Sequence, residues 1–309
     1  MEKRKMNFGQ KLMASLVRLL GRLPLGFHRA CADAFAWVLR NVLHYREKVL
    51  ITNISRSFPD MKYDEISKTA KRFYRHFADI YTEAVWNAAN HGEKGLKRLH
   101  DSHIVELTNV SEINRIFEKA PSVMLLSSHT GNWELFGGLC EFNYTDEPLL
   151  VRNENLTVVY KELHSKLWDR VIEEMRLAPL EESGFCGYLE TGNILRYAVR
   201  HKDEKLFYYF ITDQHPYGNS ARFELEFMHQ NTKAMFGGTS LACKFGFAVM
   251  YLRWEIVERG KYKMTFVPIC EDASKMTPEE VMAGFYRLLE EDLNKQPWDY
   301  LWTHKRWKS

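Results

Sequence analysis

The stretch SSHTGNWE at residues 127–134 places a histidine and a glutamate five positions apart, directly after an apolar run. Histidine is the side chain best suited to accept a proton near neutral pH. As a general base, His129 would activate a hydroxyl group, and Glu134 on its other ring nitrogen would fix the tautomer and stabilise the imidazolium. The chain contains no GxSxG nucleophile elbow, so the nucleophile is predicted to be a hydroxyl group of the substrate.

The same stretch also has a structural interpretation. A histidine at the end of a strand can cap the following helix, and an acid such as Glu134 in the first turn of that helix is favoured by the helix dipole. In either case Gly131 permits a tight turn, and a helix that begins near Trp133 would present backbone N–H groups to an oxyanion or a phosphate. The residues alone leave the catalytic and the capping interpretations open.

The elements that must position this stretch form an alternating pattern from about residue 120 onward. The predicted strands are Val123–Ser127, Pro148–Val151, Lys205–Ile211, Ala248–Arg253 and Tyr262–Ile269. The predicted helices are Trp133–Cys140, Thr157–Arg176, Leu189–His201, Ala234–Phe245 and Pro278–Asn294. Strands and helices in alternation predict an α/β fold with a mainly parallel sheet flanked by helices.

Polar and ionisable residues follow each of the first three predicted strands. In open α/β sheets, ligands bind outside the carboxyl ends of the strands. We therefore expect these polar residues to gather on one edge of the sheet and to form the functional site. Besides His129 and Glu134, its candidate members are Asn132, Arg152, Asp213 and Gln214.

Residues 1–95 are predicted to be a helical, membrane-associating part, and residues 96–309 one continuous catalytic unit. The first 30 residues carry seven Lys/Arg and one acid, and the stretch 12–43 is interrupted too often by charges to span a membrane. Apolar residues recur at helical spacing on one face, with basic residues on another, which favours a helix lying in a membrane interface. The alternative is a helix that packs on its own domain with a solvated basic face. The apolar residues are Leu12, Met13, Leu16, Val17, Leu20 and Leu23, and the basic residues on the other face are Lys11, Arg18 and Arg22. The other basic residues of the first 30 are Lys3, Arg4, Lys5 and Arg29.

Several function classes find no support in the 309 residues. The cysteines are far apart and form no CxxC pair, so neither a disulfide framework nor a zinc site is predicted, and they are interpreted as buried small apolar residues in a reducing compartment. There is no HExxH, no P-loop and no GxGxxG after a strand, and the basic residues form no stripe for nucleic acid. No metal and no cofactor is therefore predicted. The cysteines are Cys31, Cys140, Cys186, Cys243 and Cys270.

Six blocks in order along the chain resemble the late acyltransferases of lipid A biosynthesis, the lauroyl/myristoyl transferase family within the glycerolipid acyltransferase-like superfamily. His129 and Glu134, with four residues between them, resemble the histidine–acid signature of that superfamily. Two blocks depart from the family pattern, since no proline follows Arg152 and Met228-His229 replaces a Phe-Gly pair. The blocks are residues 53–60, 127–138, 151–153, 213–214, 227–242 and 296–308.

This resemblance implies a glycerol-3-phosphate acyltransferase-like fold and transfer of a fatty acyl chain from a thioester, usually on acyl carrier protein, to a hydroxyl group of a membrane lipid A precursor. His129 would be the general base and Glu134 its orienting carboxylate. Arg152 and Asp213 would bind substrate or complete the site, together with Asn132 and Gln214. The protein would lie at the cytoplasmic face of the inner membrane, as a peripheral or monotopic protein of lipopolysaccharide biosynthesis.

Three alternatives remain at this stage. The acceptor could be another glycolipid, an amino-acid lipid or a glycerophosphate. The chain could be a non-catalytic lipid-binding scaffold, or a thioesterase in which water replaces the alcohol.

The C-terminal segment, Trp298 to Lys308, has two interpretations as well, an interfacial anchor or a packed tail. His304 within it is predicted to pack or to make a local hydrogen bond.

Overall fold

The structure is a computed structural model, and it describes residues 6–163, 165–181, 185, 187–216 and 222–307. Lys3, Arg4, Lys5, Cys186 and Lys308, which entered the predictions above, lie outside the described residues.

The N-terminal part consists of helices, as predicted. The first, α1, begins after Asn7, whose side chain accepts a hydrogen bond from the Gln10 backbone N–H while the Gln10 side chain accepts one from the Asn7 backbone, a reciprocal capping box. Small residues let these helices approach closely, since Ala32 and Ala36 of α2 form a buried cluster with Ala78 of α4. The helices are α1 (Phe8–Gly21), α2 (Leu25–Asn41), α3 (Glu47–Ser57), α4 (Tyr63–Asn87) and α5 (Gly92–Asp101).

A seven-stranded sheet follows, in the order β1-β9-β8-β2-β5-β3-β4. Five neighbouring strands, from β8 to β4, run parallel, whereas β9 and β1 run in the opposite direction. The predicted α/β class with a mainly parallel sheet is confirmed. The strands of this sheet are β1 (Val105–Leu107), β2 (Val123–Ser127), β3 (Leu156–Tyr160), β4 (Tyr188–Glu190), β5 (Phe207–Ile211), β8 (Ala248–Glu258) and β9 (Lys261–Cys270).

Helices cover both faces of the sheet, and a separate antiparallel hairpin packs beside it. In β2 the side chains alternate between two hydrophobic clusters, with Met124 and Leu126 in one and Val123 and Leu125 in the other. A strand buried on both faces reads as a continuous apolar run, which is why β2 was predicted without error. The remaining elements are α6 (Val110–Lys119), α7 (Lys166–Leu177), α8 (Ile194–Arg200), the hairpin β6 (Arg222–Phe227) and β7 (Gln230–Met235), α9 (Gly237–Phe245) and α10 (Pro278–Lys295).

One predicted strand was wrong. Residues 148–151 form no strand, and β3 instead begins at Leu156, inside the segment predicted as the helix Thr157–Arg176. The predicted helix included Thr157, Val158 and Val159, which lie next to the helical pattern of α7. These three residues are β-branched and favour a strand. The helix predicted over Trp133–Cys140 is a 3-10 helix and extends over Trp133–Phe142.

Helix α1 packs on its own domain, but through only part of the predicted apolar stripe, Val17 and Met13. Its buried residues are Ala14, Val17 and Gly21, while Arg18 pairs with Glu174 of α7 at 2.6 Å. The leucines are left outside, with Leu12, Leu16, Leu19 and Leu20 all exposed. None of the helices in the described part of the chain is both long and apolar enough to span a membrane.

The C-terminal segment is a packed tail. Trp302 and Arg306 are fully buried, and Asn53 Nδ2 donates hydrogen bonds to the carbonyls of Trp302, at 2.7 Å, and His304, at 3.0 Å. The Phe58 ring meets the Trp302 ring edge-on. The block at residues 53–60 therefore holds the tail against the domain, which explains why two distant blocks of the sequence belong together.

Candidate active site

Two adjacent strands bring the central pair of side chains together. β2 and β5 are parallel with Ser127 opposite Ile211, so the residues that follow them lie side by side. His129 Nδ1 lies 2.8 Å from Asp213 Oδ1. Asp213 is buried, and the His129 side chain keeps about 16% of its surface exposed. The ends of these two strands meet as the sequence predicted, but the partner of the histidine is Asp213, whereas the prediction gave that role to Glu134.

The electrostatics of this pair define the tautomer of the ring. Burial alone would raise the pKa of Asp213, but the contact with His129 outweighs it and lowers the pKa, so the carboxyl group is ionised near neutral pH. An ionised carboxylate accepts a hydrogen bond from the protonated Nδ1. Gln214 Nε2 lies 3.2 Å from His129 Nε2, and an amide N–H can donate only to an unprotonated ring nitrogen. The Nε2 lone pair is therefore the basic position.

Glu134 does not contact His129, contrary to the prediction. Both of its oxygens accept hydrogen bonds at 2.6 Å from Arg176 of α7, and Trp133 Nε1 donates to Oε1. Burial raises the pKa of Glu134, but the Arg176 charge outweighs it, so the pKa is lowered. A bidentate guanidinium is the strongest partner available to a buried carboxylate, and α7 supplies it.

Glu134 still acts on the histidine through Trp133. The Trp133 ring stands edge-on to the His129 ring, with centroids 5.0 Å apart, and its Nε1 is held by Glu134. The Glu134–Arg176 pair therefore fixes one wall against which the imidazole packs.

Arg152 lies on the opposite edge of the sheet from His129, which corrects the prediction that it joins the site. It precedes β3, and Leu156 at the start of β3 is level with Phe207 and hence with Val123 at the start of β2. The error follows from the misplaced strand. Lys161, and not Arg152, follows the carboxyl end of β3, on the edge of the sheet that carries His129, which we call the active edge. Partial desolvation lowers the pKa of Lys161.

Asn132 is fully buried, so it anchors the loop and does not face a substrate as predicted. Its Nδ2 donates to Glu83 Oε2 at 2.7 Å, and the Tyr262 hydroxyl donates to the same oxygen at 2.9 Å. Sequence reasoning missed Glu83, because a glutamate inside the helical pattern of α4 carries no sign of its tertiary partner.

A narrow, largely apolar pocket adjoins His129. One wall is the face of α4, and the C-terminal tail supplies the other. Besides His129, the lining residues are Phe73, His76, Phe77, Ile80, Trp133, Asp299, Tyr300 and Leu301. In the described ranges, no cluster of three or more His, Cys, Asp or Glu has the geometry to hold a metal ion.

The family model of the bacterial lipid A biosynthesis acyltransferases matches the chain over residues 4–309. The chain belongs to this family. Comparison with curated proteins gives no match. The resemblance inferred from the six sequence blocks is thereby confirmed, and the protein is an acyltransferase.

A buried carboxyl group with a raised pKa lies beneath the active-site loop of this acyltransferase. Glu83 is completely buried, and burial together with the neighbouring Asp79 raises its pKa to about 7. The folded protein therefore binds a proton that the unfolded chain releases above its ordinary pKa of 4.5. Stability should fall as the pH rises between these two values, with the full loss reached above the folded pKa.

Replacing Glu83 with glutamine should remove this pH dependence. We expect the intact protein to lose on the order of 2–3 kcal/mol of unfolding free energy between pH 4.5 and pH 8 from this group, and Glu83→Gln to lose none of it. Urea unfolding at both pH values measures the difference, with the exposed Glu118→Gln as the control. Equal pH dependence in Glu83→Gln and the intact protein would contradict the assignment.

Proposed function

We propose that this acyltransferase moves a fatty acyl chain from a thioester on acyl carrier protein to a hydroxyl group of a lipid A precursor, with His129 as the general base. The observation that carries the proposal is the His129–Asp213 contact at 2.8 Å, which leaves Nε2 of the partly exposed ring as the proton acceptor.

The chemistry follows from this geometry. His129 Nε2 takes the proton from the acceptor hydroxyl as its oxygen attacks the thioester carbonyl carbon. A C–O bond forms and the C–S bond breaks when the tetrahedral intermediate collapses, and the imidazolium returns the proton to the departing sulfur. The Asp213 carboxylate stabilises the imidazolium between the two transfers.

Gln214 is the remaining candidate for contact with the acceptor. Its amide nitrogen occupies the position, 3.2 Å from Nε2, that a reacting hydroxyl must approach. We propose that the amide shifts to hold this hydroxyl. Other lipids with a free hydroxyl would fit the same chemistry, so the acceptor is identified by experiment.

His129→Ala should abolish the transfer. Purified protein is incubated with acyl-[acyl carrier protein] and a lipid A precursor, and the product is detected by mass spectrometry. Loss of the base should reduce the rate by at least about 10²-fold, because no other described side chain replaces Nε2. His201→Ala, which removes a histidine near the opposite edge of the sheet, is the control and should keep full activity.

Two outcomes would contradict the proposal. Full activity of His129→Ala would exclude general-base catalysis by this ring. Release of free fatty acid at the same rate with and without the lipid acceptor would indicate a thioesterase. Transfer to a glycerophosphate or an amino-acid lipid in preference to the lipid A precursor would keep the mechanism and replace the acceptor.

We also propose that the protein binds the cytoplasmic face of the inner membrane as a peripheral protein, through α1 and α2. These helices expose many large apolar side chains. Exposed apolar patches are typical of membrane or protein contacts. Gln10 Nε2 donates to the Lys166 carbonyl at the start of α7, so α1 lies beside a helix that begins just beyond the active edge of the sheet. The exposed residues on the two helices are Phe8, Leu12, Leu16, Leu19, Leu20, Phe27, Phe35 and Trp37, and the exposed Val42 and Leu43 directly follow α2.

Replacing three of the α1 leucines should weaken membrane binding. We expect the Leu12→Ser, Leu16→Ser, Leu19→Ser variant to bind phosphatidylethanolamine/phosphatidylglycerol vesicles on the order of 10–100-fold more weakly, because the three side chains lose their apolar contact with the lipid. Vesicle flotation measures the affinity. Leu195→Ser, at an equally exposed position on α8, is the control, and unchanged binding of the triple variant would contradict the proposed surface.

A further inference from the structure

The loop that carries His129 is held in a conformation that few residues can adopt. Gly131 has a φ of +57°, and a Cβ atom at this position would lie 2.4 Å from the Trp254 side chain. Its backbone N–H and C=O are both buried with the residue, and buried backbone groups need partners. Since Gly131 is two residues from the base, whatever holds these two groups also fixes the position of His129.

A buried aspartate and a buried histidine supply both partners. Asp299 Oδ1 accepts the Gly131 N–H at 2.6 Å. His76 Nε2 lies 3.0 Å from the Gly131 carbonyl oxygen and 3.1 Å from Asp299 Oδ1. The two side chains come from α4 and from the C-terminal tail, which are far apart in sequence and make this contact only in the folded protein.

The charges around His76 favour a protonated ring that donates to these acceptors. Burial lowers the pKa of His76, but the contact with Asp299 and the nearby carboxyl groups of Asp79 and Glu83 outweigh it, so the pKa is raised. A protonated Nε2 lies within hydrogen-bond distance of both the Gly131 carbonyl and the Asp299 carboxylate. The Asp299 carboxylate also accepts the Gly131 N–H, as a charge-assisted hydrogen bond.

The tail also reaches the partner of the base. The Tyr300 hydroxyl lies 3.4 Å from the backbone carbonyl of Asp213, as a donor to it. Neighbouring residues of one segment therefore touch the backbone on both sides of the His129–Asp213 contact, and Asn53 fixes that segment to the domain from behind.

We propose that Asp299 and His76 are positioning residues that hold the catalytic loop through both backbone groups of Gly131, and so set the distance between His129 and the reacting hydroxyl. This inference rests on the proposed role of His129. It assigns to the C-terminal tail a part in catalysis that is separate from its packing.

The test compares Asp299→Ala with Asp299→Asn, which keeps an oxygen that can accept the Gly131 N–H. Because a small displacement of a catalytic group costs rate more than binding, we expect Asp299→Ala to lower kcat about 10–100-fold while KM for the thioester changes less than about twofold. Asp299→Asn should recover most of kcat. Asp292→Ala, which removes a carboxylate bound to Arg253 and Tyr251, is the control for general loss of stability.

A spectroscopic readout without substrate separates this inference from the proposed chemistry. The Gly131 amide is observed by NMR in protein with ¹⁵N-glycine and ¹³C-carbonyl threonine, which selects Thr130-Gly131 and Thr191-Gly192, and Thr191→Ser removes the second pair. We expect the Gly131 amide proton to move upfield in Asp299→Ala and to stay in Asp292→Ala. This result is read in folded protein even if His129→Ala shows the proposed reaction to be wrong.

The inference is overturned if the Gly131 amide does not move in Asp299→Ala, or if kcat falls in Asp299→Ala only as far as in an equally destabilised Asp292→Ala. If Asp299→Ala does not fold, His76→Leu carries the same two measurements, because leucine has no donor for the Gly131 carbonyl or for Asp299. An unmoved amide and an unchanged kcat in His76→Leu would equally overturn it.

Discussion

The contact between His129 and Asp213 is the interaction on which the rest of this structure depends. A carboxylate buried as completely as Asp213 is costly unless a charged or donating group meets it, and here the imidazole does so at 2.8 Å. The contact requires β2 and β5 to be neighbours, to run parallel and to end at the same level. The register of the sheet is therefore also the geometry of the site.

Two buried carboxylates serve the same histidine in different ways. Asp213 meets the ring nitrogen directly, whereas Glu134 binds Arg176 and holds the Trp133 indole against the ring face. The spacing from histidine to glutamate in the sequence thus corresponds to a real structural unit, but one that fixes a wall of the site and leaves the tautomer of the ring to Asp213. Glu134 is not available to the imidazole, because the Arg176 guanidinium donates to both of its carboxylate oxygens.

The fold class and the meeting of His129 with Asp213 could be predicted, because both follow from strands that are apolar on two faces and end in polar residues. The place of Arg152 could not, because the strand that governs it begins at Leu156, in a short run overlapped by the periodicity of the next helix. The partners of Glu134 and Asn132 also escaped prediction. Arg176 and Glu83 lie on helices whose approach depends on tertiary packing, and neither side chain departs from an ordinary helical pattern.

The role of Asp213 is tested most directly by locating the proton on the His129 ring. The ¹⁵N chemical shifts of the two ring nitrogens are measured near neutral pH in the intact protein, in Asp213→Asn and in Glu134→Gln. His129→Ala identifies the signals. We expect the proton to be on Nδ1 in the intact protein and in Glu134→Gln. In Asp213→Asn we expect it on Nε2, because the amide can donate to Nδ1. An unchanged tautomer in Asp213→Asn, or a changed tautomer in Glu134→Gln alone, would show that Glu134 and not Asp213 is the orienting carboxylate.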